Sequence, residues 1–96
     1  MKRRISLYIA GDAPNSLRAR KNITELCEHA PEGDVELNVI DIVETPEVAY
    51  DQQIIAVPVL VREHPTPVGK LIGDLSDKEQ VLRFLDLSQE AERALA

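Results

Sequence analysis

Two patterns of apolar residues run through the first third of the chain. Residues 5–10 (ISLYIA) are almost continuously apolar and rich in β-forming types, which predicts a strand covered on both faces. After the breakers GDAPN, the spacing changes to one helical stripe, formed by Ala19, Ile23, Leu26, Cys27 and Ala30. This stripe predicts a helix over 15–30, capped by the side chain of Asn15 or Ser16.

A second strand is predicted at 35–42, followed by a short helix. In the first half of this strand apolar residues alternate with Glu36 and Asn38, which indicates a position near a sheet edge. The strand–helix–strand order with short connections predicts a βαβ unit with a right-handed crossover. Pro46 suits the first position of a helix, so the short helix is expected over 46–53.

Prolines interrupt the apolar segments that follow. Residues 54–61 predict a strand around Pro58, although proline cannot donate to a sheet ladder. A turn then leads to a further strand over 68–72. Together with Pro65 and Pro67, Pro58 allows two interpretations: a cis-proline turn with a loop, or a segment with two packings close in energy.

The last helix has the clearest start signal. Ser76 and Glu79 have the spacing of a capping box, and the apolar stripe behind them predicts a helix to about Leu87. Residues 88–96 form a polar C-terminal extension. The complete order, β-α-β-α-β-β-α, predicts one α/β domain over 1–96 with a thioredoxin-like arrangement.

Composition narrows the function classes. The 96 residues include 11 Lys or Arg and 17 Asp or Glu, a formal net charge of −6, which argues against a nucleic-acid-binding module. The longest apolar run has eight residues and contains Pro58, so no membrane span is expected. A single cysteine cannot form an intramolecular disulfide, which fits a reducing compartment, and we expect a cytoplasmic protein.

The inventory of reactive side chains predicts a protein that is not an enzyme. A thioredoxin-type redox enzyme places Cys-x-x-Cys after the first strand, whereas the loop at 11–15 has no sulfur and Cys27 lies in the apolar stripe. His29 and His64 have no metal-ligand spacing, and no glycine-rich phosphate loop is present. The acids at 74–79 suit helix capping. We therefore predict no catalytic residue, no metal and no cofactor.

The chain contains the segments LYIAGDAPNSLRA, VIDIVETPEVA, IIAVPVLV and PTPVGKLIGDLSDKEQVL. These segments resemble the KaiB family of circadian-clock proteins, and the run IGDLSDKE at 72–79 is a specific signature within them. The resemblance covers residues 5–87. It implies a small non-enzymatic regulator that binds the RecA-like hexameric ATPase KaiC and modulates its phosphorylation and ATPase cycle, in a circadian clock, a timer or a stress response.

The resemblance also implies a metamorphic protein. Members of the family rearrange the C-terminal half, where Pro58, Pro65 and Pro67 lie here, from a usually tetrameric ground state into a monomeric thioredoxin-like state that binds KaiC. A homo-oligomer, dimer or tetramer, is therefore a further expected assembly.

Three basic residues match the family's KaiC-binding surface by position. They are Arg18, Lys21 and Lys70. A basic spot on an acidic protein steers docking and fixes its register. Solvation of the outer helix face explains Arg18 and Lys21 equally well.

The chain departs from the family at several positions. Phe84 stands where cyanobacterial members carry a glycine linked to the fold switch, while Asp86 keeps the family's acid. Losing the backbone freedom of glycine favours a continuous final helix, so we expect a larger thioredoxin-like population here. The glutamines at 52–53 replace a charged pair. Glu36 and Asn38 replace the residues with which cyanobacterial members engage KaiA, which argues against KaiA as a partner.

Two other functions fit parts of the pattern. A stand-alone sensory module acting on a histidine kinase would resemble the thioredoxin-like N-terminal domain of the KaiC-binding histidine kinase. A redox enzyme of the thioredoxin superfamily would need the Cys-x-x-Cys motif, which is missing. We favour the KaiB-type regulator with a KaiC-like ATPase as partner and keep the kinase module as the alternative.

Overall fold

Strand β1 (Arg3–Ile9) forms the centre of the molecule. The structure is a computed structural model that describes residues 3–30, 33–64 and 66–85. Ile5, Leu7 and Ile9 are buried on one face of β1, and Ser6 and Tyr8 are buried on the other. The prediction of a strand covered on both faces is therefore confirmed.

The other strands flank β1 in one mixed sheet. Strand β2 (Val35–Asp41) pairs with β1 in parallel, β3 (Val59–His64) pairs with its other side antiparallel, and β4 (Gly69–Ile72) pairs antiparallel with β3. The order β2-β1-β3-β4 makes β2 an edge strand, as its alternating pattern predicted.

The helices lie on both faces of this sheet. Helix α1 (Pro14–His29) and helix α3 (Lys78–Leu85) pack on the Leu7 face, where they enclose the larger apolar core. The short helix α2 (Pro46–Asp51) covers the Tyr8 face, with Val48 against a smaller apolar cluster. Each large side chain that is fully buried in these clusters contributes about 1.5–3 kcal/mol.

The start of β3 corrects the predicted strand over 54–61. The strand begins at Val59, directly after Pro58, because proline has no N–H for the ladder. Residues 54–57 leave the sheet, and the N–H of Ile54 donates instead to the Ala49 carbonyl (2.8 Å) at the end of α2. The Val57–Pro58 and Thr66–Pro67 peptide bonds are cis, as one of the two interpretations of the prolines predicted, and Pro65 lies outside the described residues.

The predicted cap of α1 is wrong. The helix begins at Pro14 after Ala13, and no side chain caps it. Proline at the first position has its φ preset and lacks the N–H that a cap would satisfy. Ser16 is buried, and its Oγ accepts a hydrogen bond from the N–H of Ala10 (3.0 Å), while Asn15 Oδ1 accepts one from Arg18.

The predicted cap of α3 is also wrong by one residue, because Asp77 and not Ser76 caps the helix. Asp77 Oδ1 accepts the N–H of Gln80 (3.1 Å), and the Asp77 carbonyl accepts the N–H of Val81 (3.1 Å). Ser76 stays outside the helix because its N–H donates to Asp74 Oδ1 (3.1 Å). The helix is described as far as Leu85, so the predicted end at Leu87 and the extension at 88–96 lie outside the described residues.

Candidate partner-binding surface

The loop that follows β1 occupies the place of a thioredoxin active site and carries no thiol. The loop runs from Gly11 to Ala13, and the only cysteine, Cys27, lies half-buried near the end of α1. Burial raises the pKa of the Cys27 thiol to about 11, so the reactive thiolate is scarce at neutral pH. Among the residues that the structure describes, no group of three or more His, Cys, Asp or Glu is placed to hold a metal ion.

An exposed apolar patch lies where the α2–β3 loop meets β4. We call it the isoleucine patch and define it as Ile54, Ile55, Ala56 and Ile72. These residues, together with Gln53, Val59 and Lys70, line a shallow cavity of about 90 Å³. Ile55 is 98% exposed and Ile72 is 66% exposed. A contiguous apolar surface beside a polar group is typical of a site where another molecule docks.

Local backbone geometry places this patch at the edge of the core. Gln53 has a left-handed φ of 54°, which turns the chain at the end of α2. Ile54 packs against the smaller apolar cluster, whereas Ile55 stays exposed. On β4, Lys70 pairs with Val61 and Ile72 pairs with Val59, so both side chains lie on the Tyr8 face. Lys70 Nζ donates to the Gln53 carbonyl (3.4 Å), which ties the cation to the patch.

Arg18 and Lys21 lie on the exposed side of α1. Arg18 Nε is 3.5 Å from Asp74 Oδ2, and Asn22 Nδ2 donates to the Asp74 carbonyl (2.9 Å). Asp74 therefore joins α1 to the segment that leads from β4 into α3. Hydrogen bonds from Ser76, and then the charge of Arg18, hold the pKa of the Asp74 carboxyl below its usual value.

The structure separates the three predicted site residues into two groups. Lys70 lies on the α2 side of the sheet, whereas Arg18 and Lys21 project from α1 on the opposite side. Both groups border the end of β4. Lys70 lines the same shallow cavity as Ile72, the last residue of the strand, and Arg18 contacts Asp74, two residues further along the chain. The surface that these groups define thus wraps around the end of β4 from 72 to 74.

Sequence reasoning missed the isoleucine patch, because its residues were assigned to a buried strand. The available signal was Pro58 itself, since a proline inside an apolar run indicates that the residues before it leave the ladder. Without the ladder, nothing requires Ile55 to be buried.

Phe84, a residue of α3, packs against the β3–β4 hairpin. A Cβ atom on Gly69 would lie 3.1 Å from Phe84 Cε1, and the guanidinium carbon of Arg62 lies 5.2 Å from the ring centroid. Arg62 also donates hydrogen bonds to the carbonyls of Phe84 and Pro67, so it holds the end of α3 against the hairpin. Asp86, the acid predicted to accompany Phe84 in the fold switch, lies outside the described residues.

The architecture is that of the thioredoxin-like class. Mitochondrial thioredoxin 3 from Saccharomyces cerevisiae superposes with a TM-score of 0.73 at 20% identity, over 88% of this chain and 77% of that one. The N-terminal domain of SasA from Synechococcus elongatus superposes with a TM-score of 0.69 at 20% identity, over 90% of this chain and 85% of that one. These likenesses confirm the predicted fold.

The sequence comparison is more specific than the fold. The model of the KaiB domain matches residues 6–87, and the chain belongs to the KaiB family. The "Circadian clock oscillator protein KaiB" of Prochlorococcus marinus (strain MIT 9211) is 46% identical over 86 residues, which is 90% of this chain and 75% of that protein. The protein of the same name from Trichodesmium erythraeum (strain IMS101) is 46% identical over 86 residues, 83% of its length. No helix among the described residues is long and apolar enough to cross a membrane.

Proposed function

We propose that this protein is a non-enzymatic KaiB-type regulator that docks on a KaiC-like hexameric ATPase. Docking would modulate the phosphorylation and ATPase cycle of that partner in a clock, a timer or a stress response in the cytoplasm. Membership of the KaiB family supports the class of protein. KaiA is not proposed as a partner, because Glu36 and Asn38 stand at the corresponding positions of β2.

The observation that carries this proposal is the isoleucine patch with Lys70 beside it. Apolar side chains such as Ile55 and Ile72 supply the central contacts of an interface when a partner covers them. On an acidic chain, Lys70, Arg18 and Lys21 would steer an acidic partner surface to this end of the sheet. The high pKa of Cys27 and the thiol-free loop after β1 favour docking over thiol chemistry.

Charge reversal at the predicted cations tests this docking surface. The variants Lys21→Glu and Lys70→Glu are expected to weaken binding to the KaiC homologue of the same organism about tenfold or more each, since a cation facing an acidic surface becomes a repelling anion. Binding is measured by size-exclusion co-elution and by titration in the presence of ATP. Both side chains are exposed, so the fold is expected to stay unchanged.

Arg83→Glu is the matched control, because it makes the same charge change on the exposed side of α3. Its pair with Glu79 (3.8 Å) is exposed and contributes little to stability. Equal weakening by all three variants would indicate a general charge effect and contradict the proposed surface. Absence of binding by the unmodified protein in every nucleotide state would contradict the KaiC-like partner itself. Binding to a histidine kinase of that organism in its place would support the alternative function.

Ile55→Ser tests the apolar part of the surface independently of charge. Because Ile55 is 98% exposed, the substitution is expected to leave the stability of the free protein nearly unchanged. If the side chain is covered by the partner, losing its apolar area costs about 1.5–3 kcal/mol of binding free energy. Unchanged affinity would remove the isoleucine patch from the interface.

A further inference from the structure

A cavity of about 150 Å³ lies between α1 and α3, on the opposite face of the sheet from the isoleucine patch. Its floor is apolar, because it consists of side chains that belong to the larger core and are almost completely buried: Ile23, Leu26, Leu75 and Val81. Two exposed charged residues, Glu25 and Lys78, line the same cavity and therefore form its mouth. An apolar floor with a few polar groups at its mouth is the usual build of a small-molecule site.

One wall of the cavity is held in an unusual backbone conformation. Leu75 has a left-handed φ of 61°, which is uncommon for a residue with a bulky side chain. The carbonyl of the preceding residue, Asp74, accepts a hydrogen bond from Asn22 Nδ2 (2.9 Å), and Asn22 itself lines the cavity. The segment that carries Leu75 is thereby tied to α1. The two walls of the cavity are thus joined by a hydrogen bond in the free protein.

The two sides of the mouth carry opposite charges. Lys78 is the first residue of α3, where the positive end of the helix dipole adds to its charge. Glu25 lies one turn before the end of α1, and His29, which also lines the cavity, is the last residue of that helix. At pH 8, where histidine is mostly neutral, the α1 side is negative and the α3 side is positive. A ligand that complements this mouth carries both an anionic and a cationic group.

We propose that this cavity binds an apolar α-amino acid, for which leucine is the model ligand. The ligand's side chain fills the apolar floor, its carboxylate faces Lys78 and its ammonium group faces Glu25. An apolar cavity of this size holds one benzene-sized group. Drug-sized ligands need roughly 300–1,000 Å³, so a nucleotide or an oligopeptide is too large. Because α1 and α3 form the cavity together, an occupant also stabilises the arrangement in which the two helices are packed.

An NMR titration of the full chain with leucine at pH 8, up to about 20 mM, tests the proposal. For a ligand of about nine non-hydrogen atoms a dissociation constant of about 1 mM is expected. The methyl resonances of Ile23, Leu26 and Val81 are expected to shift and saturate together, and the midpoint of thermal unfolding is expected to rise with leucine concentration. Absence of saturable shifts at these residues, or saturable shifts confined to the isoleucine patch, would overturn the proposal.

Two probes that each lack one charged group test the recognition of the zwitterion. The compound 4-methylpentanoate has no ammonium group, and 3-methylbutylamine has no carboxylate, while both keep the branched apolar end. Each is expected to bind about two- to fivefold more weakly than leucine, because it loses one contact between exposed charges. Equal affinity for all three compounds would assign the cavity to apolar molecules in general and would overturn the proposed ligand class.

Substitutions at the mouth identify the partner of each charge. Glu25 and Lys78 are exposed, so Glu25→Gln and Lys78→Gln are expected to fold like the unmodified protein. Glu25→Gln is expected to weaken leucine binding about two- to fivefold and to leave 4-methylpentanoate unaffected, whereas Lys78→Gln weakens both and leaves 3-methylbutylamine unaffected. Glu28→Gln is the matched control, since Glu28 is exposed on α1 and does not line the cavity. Equal weakening by Glu25→Gln and Glu28→Gln would overturn the proposed site.

Discussion

Cys27 lies near the C-terminal end of α1, half-buried against the larger core. Burial raises the pKa of its thiol from 9.0 to about 11. At pH 8 the thiolate fraction is then about 100-fold smaller than that of an unperturbed thiol. Alkylation of Cys27 by iodoacetamide at pH 8 is accordingly expected to be slower in the folded protein by about that factor.

The same chain unfolded in urea is the control for this measurement, because it has the same thiol without the burial. A folded protein that reacts as fast as the unfolded one would place Cys27 in a solvent-accessible, activated environment. That result would also reopen thiol chemistry as a function. The alkylation rate of Cys27 thus distinguishes a structural cysteine from a catalytic one.

At the start of α3, two neighbouring residues compete to be the N-cap. Asp77 and Ser76 both carry oxygen atoms suited to capping α3, yet only Asp77 accepts a helical N–H, that of Gln80. Asp77→Ala is expected to lower the free energy of unfolding by about 1 kcal/mol, because the first turn of α3 loses its cap.

Ser76→Ala is the matched comparison, since it removes the residue that the sequence pattern favoured as the cap. It is expected to cost less than Asp77→Ala, because it removes one side-chain hydrogen bond to the Asp74 carboxylate while the backbone N–H of Ser76 still donates to that carboxylate and the cap of α3 stays intact. Chemical denaturation of both variants measures the difference. A larger loss for Ser76→Ala than for Asp77→Ala would return the cap to Ser76.

At the same scale, periodicity predicted the existence and type of every element but not their ends. The 16 residues of α1 and the doubly buried β1 have strong patterns, and both were placed correctly to within two residues. The start of β3 was misplaced although Pro58, which lacks an N–H for the ladder, marks it in the sequence. The cap of α3 was misplaced because the N–H of Ser76 donates to Asp74, and spacing alone does not encode which of two neighbouring oxygen atoms meets the free N–H groups of the helix.

The whole molecule is held in the thioredoxin-like arrangement partly by Phe84. Its ring fills the space left by Gly69 and lies under Arg62, which joins α3 to the β3–β4 hairpin. Phe84→Ala is expected to lower the free energy of unfolding by about 2 kcal/mol through loss of these contacts. Phe84→Gly is expected to cost about 1 kcal/mol more, since glycine also destabilises the helix backbone.

NMR secondary shifts extend this test to the fold switch that the family resemblance implies. In the unmodified protein the residues of α3 are expected to be predominantly helical, and Phe84→Gly is expected to reduce that helicity more than Phe84→Ala does. Mostly non-helical shifts over 77–87 in the unmodified protein would contradict a dominant thioredoxin-like population. Equal helicity in the two variants would show that ring packing, and not backbone freedom, controls the arrangement.

The sequence alone determined the order of elements, the burial of β1 on both faces and the edge position of β2, because each follows from a pattern of residues close together in the chain. It also determined membership of the KaiB family, which rests on segments spread over residues 6–87. Tertiary structure alone decided that Ile55 and Ile72 meet at the surface, and that Lys70 lies across the sheet from Arg18. Those placements depend on the pairing of β3 with β4 and on where Pro58 releases the chain from the ladder, so they exist only once distant segments are packed together.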